Sequence, residues 1–225
     1  MPEETDYIEP EEERVVANSI AEMSLIETMI MMSNLLLDEI REARAVLEKP
    51  IISMDEIISK VRKVKEKIEE QKERAMEYLV RLPPGLIMKD TFGPIILGLT
   101  NVSQYVDGSM YRLALLAEKG ATTEKLTKVT NRLLSLLYDQ VEYMNKAIKV
   151  VQRDPLRALK MINESIRLED EIDREYRSNL YEVLSESDAP ASAVLTWEIL
   201  SNLEDASDIA KDAAEYFKYF VLHKV

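Results

Sequence analysis

The sequence predicts an all-helical protein, folded as an elongated six-helix bundle. Gly and Pro number only 5 and 8, whereas apolar residues make up 46% and charged residues 32% of the chain, as is typical of helices. Apolar residues recur at three- and four-residue spacing, and no long stretch alternates between apolar and polar residues as a half-buried strand does. Punctuation by Pro, Gly and capping residues divides the chain into six stretches, each able to form a helix of about 45 Å.

The N-terminal segment is predicted to be disordered and to lead directly into the first helix. Residues 1–10 are acidic and contain two prolines, a composition that disfavours regular structure. The first helix is predicted over Glu11–Leu47. Its most apolar run, Met23–Leu37, is interrupted by polar residues and falls short of the roughly 20 residues that cross a bilayer. We therefore expect a soluble protein without a membrane segment.

Capping and turn residues limit the second and third helices. Ser53 and Glu56 have the spacing of a capping box, in which the hydroxyl and the carboxylate each satisfy a free backbone N–H. A Pro-Pro-Gly run then ends the second helix, and a hairpin turn is expected near Gly85. The third helix is predicted over about 90–119, with Gly120 as its C-terminal cap.

The last three helices are limited in the same way. Thr122 or Thr123 is positioned to cap the fourth helix. Asp154, followed by a proline, is an N-cap before the first position of the fifth helix. A second hairpin turn is expected near Asp188. Asp188 and Pro190 open the sixth helix, which ends near the C-terminus.

The two halves of the chain resemble tandem copies of a three-helix unit. Each half contains one long helix followed by a helical hairpin, and the units span about 11–119 and 122–225 of a single helical domain, 11–225. The segment Leu99–Gln104 of the third helix lines up with Leu203–Asp208 of the sixth. Since one helix cannot bury its apolar stripe alone, these helices are expected to pack into one elongated bundle.

Charge and composition exclude several classes of function. The formal net charge is −13, which opposes nucleic-acid binding because that binding depends on Lys and Arg neutralising phosphates. Cations and basic protein segments are better partners for such a surface. The chain has no Cys and one His, His223, so it lacks thiolate or His-rich zinc sites and a Cys nucleophile. We expect no catalytic activity.

One group of carboxylates stands out by its spacing. Glu169 and Asp173 are four residues apart in the fifth helix, and Glu204 and Asp208 have the same spacing in the sixth. Residues at this spacing share one helix face. Both cross-helix pairs are symmetric about the turn near Asp188, so Glu169 should face Asp208 and Asp173 should face Glu204. Four carboxylates are therefore predicted to converge on one patch.

Such a cluster has four ways to relieve its repulsion. It can protonate, spread apart, pair with Arg or Lys, or bind a cation, because two unit charges 4 Å apart repel by about 4 kcal/mol at an effective dielectric of 20. Carboxylate ligands suit Mg, Ca, Mn or iron. The alternative is a solvated acidic face neutralised by Arg167, Arg174 and Lys211. Spacing alone leaves both interpretations open.

The residues around these motifs resemble the PhoU-like proteins. The similarity is sharpest over 166–174 and 203–215, and the closest branch looks like the Pit-accessory type, whose members accompany low-affinity phosphate transporters. The resemblance implies two three-helix bundles, each with a surface site for a metal cluster, often iron or zinc. Carried over, the metal ligands are Glu169, Asp173, Glu204 and Asp208.

The first half departs from the family pattern. The positions equivalent to the four carboxylates are Lys67, Gln71, Thr100 and Gln104. A shifted register would use Glu66 and Glu70 on the second helix instead. If a metal binds, it is therefore expected in the second half only.

The resemblance implies a cytoplasmic regulatory or accessory protein of phosphate transport that acts by protein–protein interaction. Its expected partner is the cytoplasmic face of a phosphate transporter, with peripheral membrane association through that transporter and no direct binding to lipid or nucleic acid. Two alternatives remain at this point: a structural bundle that forms homo-oligomers through the Met-rich first helix, and a carboxylate-bridged metalloenzyme.

Overall fold

The computed structural model describes residues 11–49, 51–82 and 88–225, with side chains from residue 19 onward. These ranges contain six long helices and no strand, which confirms the predicted all-helical bundle. The helices are α1 (Glu11–Leu47), α2, α3 (Lys89–Glu118), α4 (Glu124–Val150), α5 (Pro155–Ser185) and α6 (Pro190–Lys224). Helix α2 consists of Met54–Ile57, a π-helical turn at Ile58–Arg62 and Lys63–Arg81.

Three of the predicted caps and the predicted glycine terminator are present. Ser53, Thr123 and Asp154 each accept a hydrogen bond from the backbone N–H three residues further on, at 3.3, 3.1 and 2.9 Å. Gly120 follows α3 with a φ of 65°, a left-handed conformation that glycine adopts without steric cost. Local chemistry therefore sets most helix limits.

Two details of the predicted helix ends are wrong. The Glu56 carboxylate does not complete a capping box, because it pairs with Lys49 across the loop before α2. Helix α6 begins at Pro190 after Ala189, which has no side chain able to cap it, rather than at Asp188. The predicted tail at 1–10 and the predicted turn near Gly85 lie outside the described residues.

Helix packing shows how the two halves are held together. Helices α1, α2 and α3 all contact one another, as do α4, α5 and α6. Two further pairs, α1 with α4 and α3 with α6, join the halves, and α3 with α6 is the most extensive contact in the bundle. Helices α2 and α5 are therefore the outer members. That the halves are tandem copies remains a prediction from the sequence.

The contact between α3 and α6 is unusually close at one point. A Cβ atom added to Gly98 would lie 2.7 Å from the Cβ of Ala213, well inside van der Waals contact. The N-terminal end of α3 then packs Phe92 against Phe220, with ring centroids 5.3 Å apart. Small residues at the crossing let the two backbones approach, and the aromatic rings fill the space beside it.

Helix α1 contains a long apolar segment. By length and composition the segment Ser19–Leu47 can cross a membrane, although 44% of its most apolar window is buried inside the bundle. This segment is longer than the run at 23–37 that the sequence singles out. Its fully buried residues recur at helical spacing: Leu25, Met29, Met32, Leu36, Ile40 and Ala43. Core helices of soluble proteins pass the same test of length and composition, and α1 packs against α2, α3 and α4.

Candidate functional site

The four predicted carboxylates lie on the rim of the contact between α5 and α6. Each motif residue directly follows a buried residue at the same four-residue spacing: Leu168 and Ile172 in α5, and Leu203 and Ser207 in α6. This offset of one residue turns each carboxylate about 100° away from the core. The side chains of Glu169 and Asp173 retain 14% and 20% of their exposure, whereas Asp208 is exposed.

The carboxylates face one another as the register predicts. Asp208 interacts electrostatically with Glu169 across the two helices, and Asp173 interacts in the same way with Glu204. Within α6, Asp208 also acts on Glu204. The four carboxylates therefore form one electrostatically coupled group, which we call the rim cluster.

Burial and mutual repulsion both disfavour the ionised forms in the rim cluster. Burial is the main cause that raises the pKa of Glu204, followed by the charges of Asp208, Asp205 and Asp173. Burial also raises the pKa of Glu169, where the hydrogen bond from Lys211 opposes it and Asp208 adds to it. The cluster thus stores unfavourable energy that a cation would relieve.

Two basic side chains already provide part of that relief. Lys211 Nζ donates a hydrogen bond of 3.0 Å to Glu169 Oε2, and this contact raises the pKa of Lys211. Arg177 Nε lies 2.7 Å from Asp173 Oδ1. That oxygen is nevertheless buried without a hydrogen-bond partner among the described residues, so the N–H is poorly aligned with it.

The other two predicted counter-ions lie elsewhere. Arg167 pairs with Glu164 and Glu171 on its own helix, and Arg174 donates to the backbone carbonyl of Asp170. Of the three candidates from the sequence, only Lys211 neutralises a rim carboxylate. Arg177 was missed, although its position four residues after Asp173 is the spacing that favours an ion pair on one helix.

The donor set suits a hard or borderline cation in chemistry but is not preassembled in position. Within 11–49, 51–82 and 88–225, no three acidic or His side chains are placed to hold a metal ion together. A cation would have to displace Lys211 from Glu169 and Arg177 from Asp173, and draw the carboxylates inward. Asp205, whose pKa is raised by burial, is a further acidic residue beside the cluster that the sequence motif did not include.

The hairpin of the first half has neutral and basic side chains where the hairpin of the second half has the rim carboxylates. Thr100 is buried and its hydroxyl donates to the Ile96 carbonyl at 2.9 Å. Gln104 Nε2 lies 3.5 Å from Glu69 Oε1, and Lys65 Nζ lies 3.4 Å from the same oxygen. A lysine is thus built into the α2–α3 contact.

The fold and the site together define a class of protein: a six-helix bundle with coupled carboxylates on the rim of its last hairpin. Solved structures with the same fold match nearly the whole chain. PhoU from Pseudomonas aeruginosa is 17% identical, with a TM-score of 0.73, over 92% of this chain and 99% of that one. A PhoU-like protein from Shewanella oneidensis MR-1 is 15% identical, with a TM-score of 0.63, over 89% and 100%.

A second Shewanella oneidensis MR-1 protein, provisionally described as a PhoU-like phosphate regulatory protein, is 12% identical with a TM-score of 0.57. The match spans 91% of this chain and 98% of that protein. The sequence matches no protein-family model and no curated protein. At these identities the likeness establishes the fold, so this chain has the PhoU-like fold that the sequence predicts.

Proposed function

We propose that this chain is a regulatory or accessory protein of phosphate transport that acts in the cytoplasm by binding a phosphate transporter. The observation that carries this proposal is the PhoU-like fold, shared over 92% of this chain and 99% of Pseudomonas aeruginosa PhoU. A Shewanella protein of the same fold is provisionally described as phosphate regulatory. One fold can serve many functions, so the proposal also uses the net charge of the protein and the chemistry of the rim cluster.

The charge of the protein supports a basic protein partner. Its formal net charge is −13, and the cytoplasmic loops of membrane transporters carry an excess of Lys and Arg. Opposite charges steer such partners together, whereas the anionic lipid around the transporter repels an acidic bundle. We therefore place the partner surface on the transporter rather than on the bilayer, and expect the Pit type of phosphate transporter.

The rim cluster supports a metal-dependent form of this regulator. Its ligands would be Glu169, Asp173, Glu204 and Asp208, and iron or zinc is the expected metal by family resemblance. The raised pKa values of Glu169 and Glu204 follow from burial and repulsion that a cation would offset. No feature of the described chain favours the alternative of a metalloenzyme or of a purely structural oligomer.

The test is binding of the purified protein to the phosphate transporter of the same host, reconstituted in vesicles, at low and high salt. Binding should be strong at low salt and weaken as salt rises, because screening acts over a Debye length of about 8–10 Å near physiological ionic strength. Protein loaded with iron or zinc and chelated protein are compared in parallel.

Two controls define failure. Transporter-free anionic vesicles must not retain the protein, since equal recovery there would mean that it binds lipid. A reconstituted transporter of unrelated substrate, carrying similarly basic loops, controls for charge alone. Absence of binding to the phosphate transporter, with and without metal, would overturn the proposal.

A further inference from the structure

The core of the first half contains a buried carboxyl group that has no hydrogen-bond partner among the described residues. Glu39, on the inner face of α1, has no exposed surface. Neither of its carboxylate oxygens has a hydrogen-bond partner among the described residues, and the buried hydroxyl of Ser103 on α3 also lacks one. Leaving an ionised carboxylate in this state is costly, because burial removes its hydration and nothing replaces it.

The charges around Glu39 do not balance it. On α3, the Asp107 side chain is only 8% exposed and accepts hydrogen bonds from Arg62 of α2 at 3.3 and 3.5 Å. On α2, Lys65 lies 3.9 Å from Asp107 and 3.4 Å from Glu69. The positive charges of Arg62 and Lys65 are therefore already matched by the negative charges of Asp107 and Glu69. An ionised Glu39 would leave this group with one uncompensated negative charge, which a single proton removes.

The second half shows what the same arrangement looks like when it is satisfied. Gln140 on α4 is fully buried; its amide donates to the Ser207 carbonyl at 3.0 Å, and its oxygen accepts from the Ser207 hydroxyl at 2.9 Å. Ser207 of α6 and Ser103 of α3 occupy matching places in the aligned segments of the two halves. If the halves are tandem copies, as the sequence predicts, Gln140 beside Ser207 is the neutral counterpart of Glu39 beside Ser103.

We propose that Glu39 is a buried proton-binding site, and that its proton couples the packing of α1 against α2 and α3 to pH. A protonated carboxyl offers one O–H donor and one carbonyl acceptor, the same pair that the Gln140 amide uses. The inference does not depend on the proposed function, since it uses only the core of the first half.

The direction of the pKa shift agrees with this assignment. Burial raises the pKa of Glu39 well above its ordinary value of 4.5; Asp107 and Glu69 raise it further, while Ser103 and Lys65 act in the opposite direction. The unfolded chain releases this proton near the ordinary value, and the folded protein retains it to higher pH. The contribution of the Glu39 proton to the free energy of unfolding is therefore fully present below pH 4.5. This contribution is lost as the pH rises from there to the folded-state pKa of Glu39.

The experiment compares the pH dependence of unfolding in the wild type, Glu39→Gln and Glu66→Gln, an exposed glutamate on α2 that serves as the matched control. Because one proton is involved, the folding equilibrium constant of the wild type should fall about tenfold per pH unit relative to Glu39→Gln in the range between the two pKa values. Glu66→Gln should follow the wild type.

A direct measurement accompanies the unfolding curves. Infrared difference spectra of the folded wild type against Glu39→Gln at neutral pH should contain the carbonyl band of a protonated carboxyl. Gln140→Glu should add a second such band, because it places a carboxyl in the matching position. A carboxylate band for Glu39 at neutral pH, or a wild type and Glu39→Gln whose stabilities run parallel with pH, would overturn the proposal.

Discussion

At the scale of single residues, a metal ion bound at the rim cluster would compete with two side-chain cations. Lys211 Nζ lies 3.0 Å from Glu169 Oε2 and Arg177 Nε lies 2.7 Å from Asp173 Oδ1, so a metal bound by these carboxylates would have to displace both side chains. Glu204 and Asp208 have no ion-pair partner within the described residues.

Neutralising one carboxylate on each helix tests this site. We expect the double variant Asp173→Asn with Asp208→Asn to lose the metal that the wild type retains, because each helix then keeps only one charged ligand. Bound metal should stabilise the wild type by about 2.7 kcal/mol at a free concentration one hundred times Kd, and this gain should disappear in the variant. Metal analysis after dialysis and thermal unfolding with and without chelator measure both effects.

The matched control is Glu66→Gln with Glu70→Gln, which removes the same charge from the exposed face of α2. This control should retain the metal of the wild type. Unchanged metal content in the Asp173 and Asp208 variant would show that the metal, if bound, is held elsewhere in the chain.

At the scale of elements, the crossing of α3 and α6 depends on one glycine. Replacing Gly98 by Ala places a Cβ atom 2.7 Å from that of Ala213, so the helices must separate. Such overpacking costs about 1–3 kcal/mol, which outweighs the gain in helix propensity of up to about 1 kcal/mol. We expect a net loss in the free energy of unfolding, measured by urea denaturation.

Gly93 provides the control on the same helix. A Cβ atom at Gly93 meets nothing within 4 Å, so Gly93→Ala gains helix propensity without a clash and should be neutral or stabilising. Equal stability of the Gly98 and Gly93 variants would mean that the crossing adjusts freely and that its close approach is not a requirement of the fold.

The elements themselves were largely predictable because their limits are set locally. Ser53, Thr123, Asp154 and Gly120 act on neighbours within three residues, and all four were identified from the sequence. The π-helical turn at Ile58–Arg62 was not predicted, since no Pro or Gly marks it. In the folded protein this turn contacts α1 and α3.

The relative positions of the four rim carboxylates could be predicted from the sequence, but not all of the basic residues that pair with them. Helical spacing and an antiparallel hairpin place Asp208 beside Glu169, as found. Arg177 was not anticipated as the partner of Asp173, because a side-chain direction decides which of several nearby arginines reaches it. Glu39 was missed as well: it follows Leu36 by three residues on the apolar stripe, and only the packed structure shows that nothing compensates its charge.

At the scale of the whole molecule, the net negative charge belongs to the six-helix bundle as a whole. The formal charge of −13 is a property of the entire chain, so the salt dependence that we expect of the proposed transporter binding belongs to this scale. Neutralising two rim carboxylates changes that total little. Metal loading and salt should therefore act on binding through separable effects, one local and one global.

The two contacts that join the halves, α1 with α4 and α3 with α6, also determine whether the protein can be divided. A chain cut in the exposed loop around Gly120 gives two fragments, 1–120 and 121–225, and each fragment exposes the large apolar face that the other covers in the intact protein. We expect either fragment alone to aggregate or remain poorly folded, and the mixed fragments to reassemble into a one-to-one complex with the helical content of the intact chain. Two fragments that are separately stable and monomeric would contradict this. If reassembly occurs, the protein can be rebuilt from isotope-labelled and unlabelled halves, which would allow the spectra of Glu39 and of the rim cluster to be observed one half at a time.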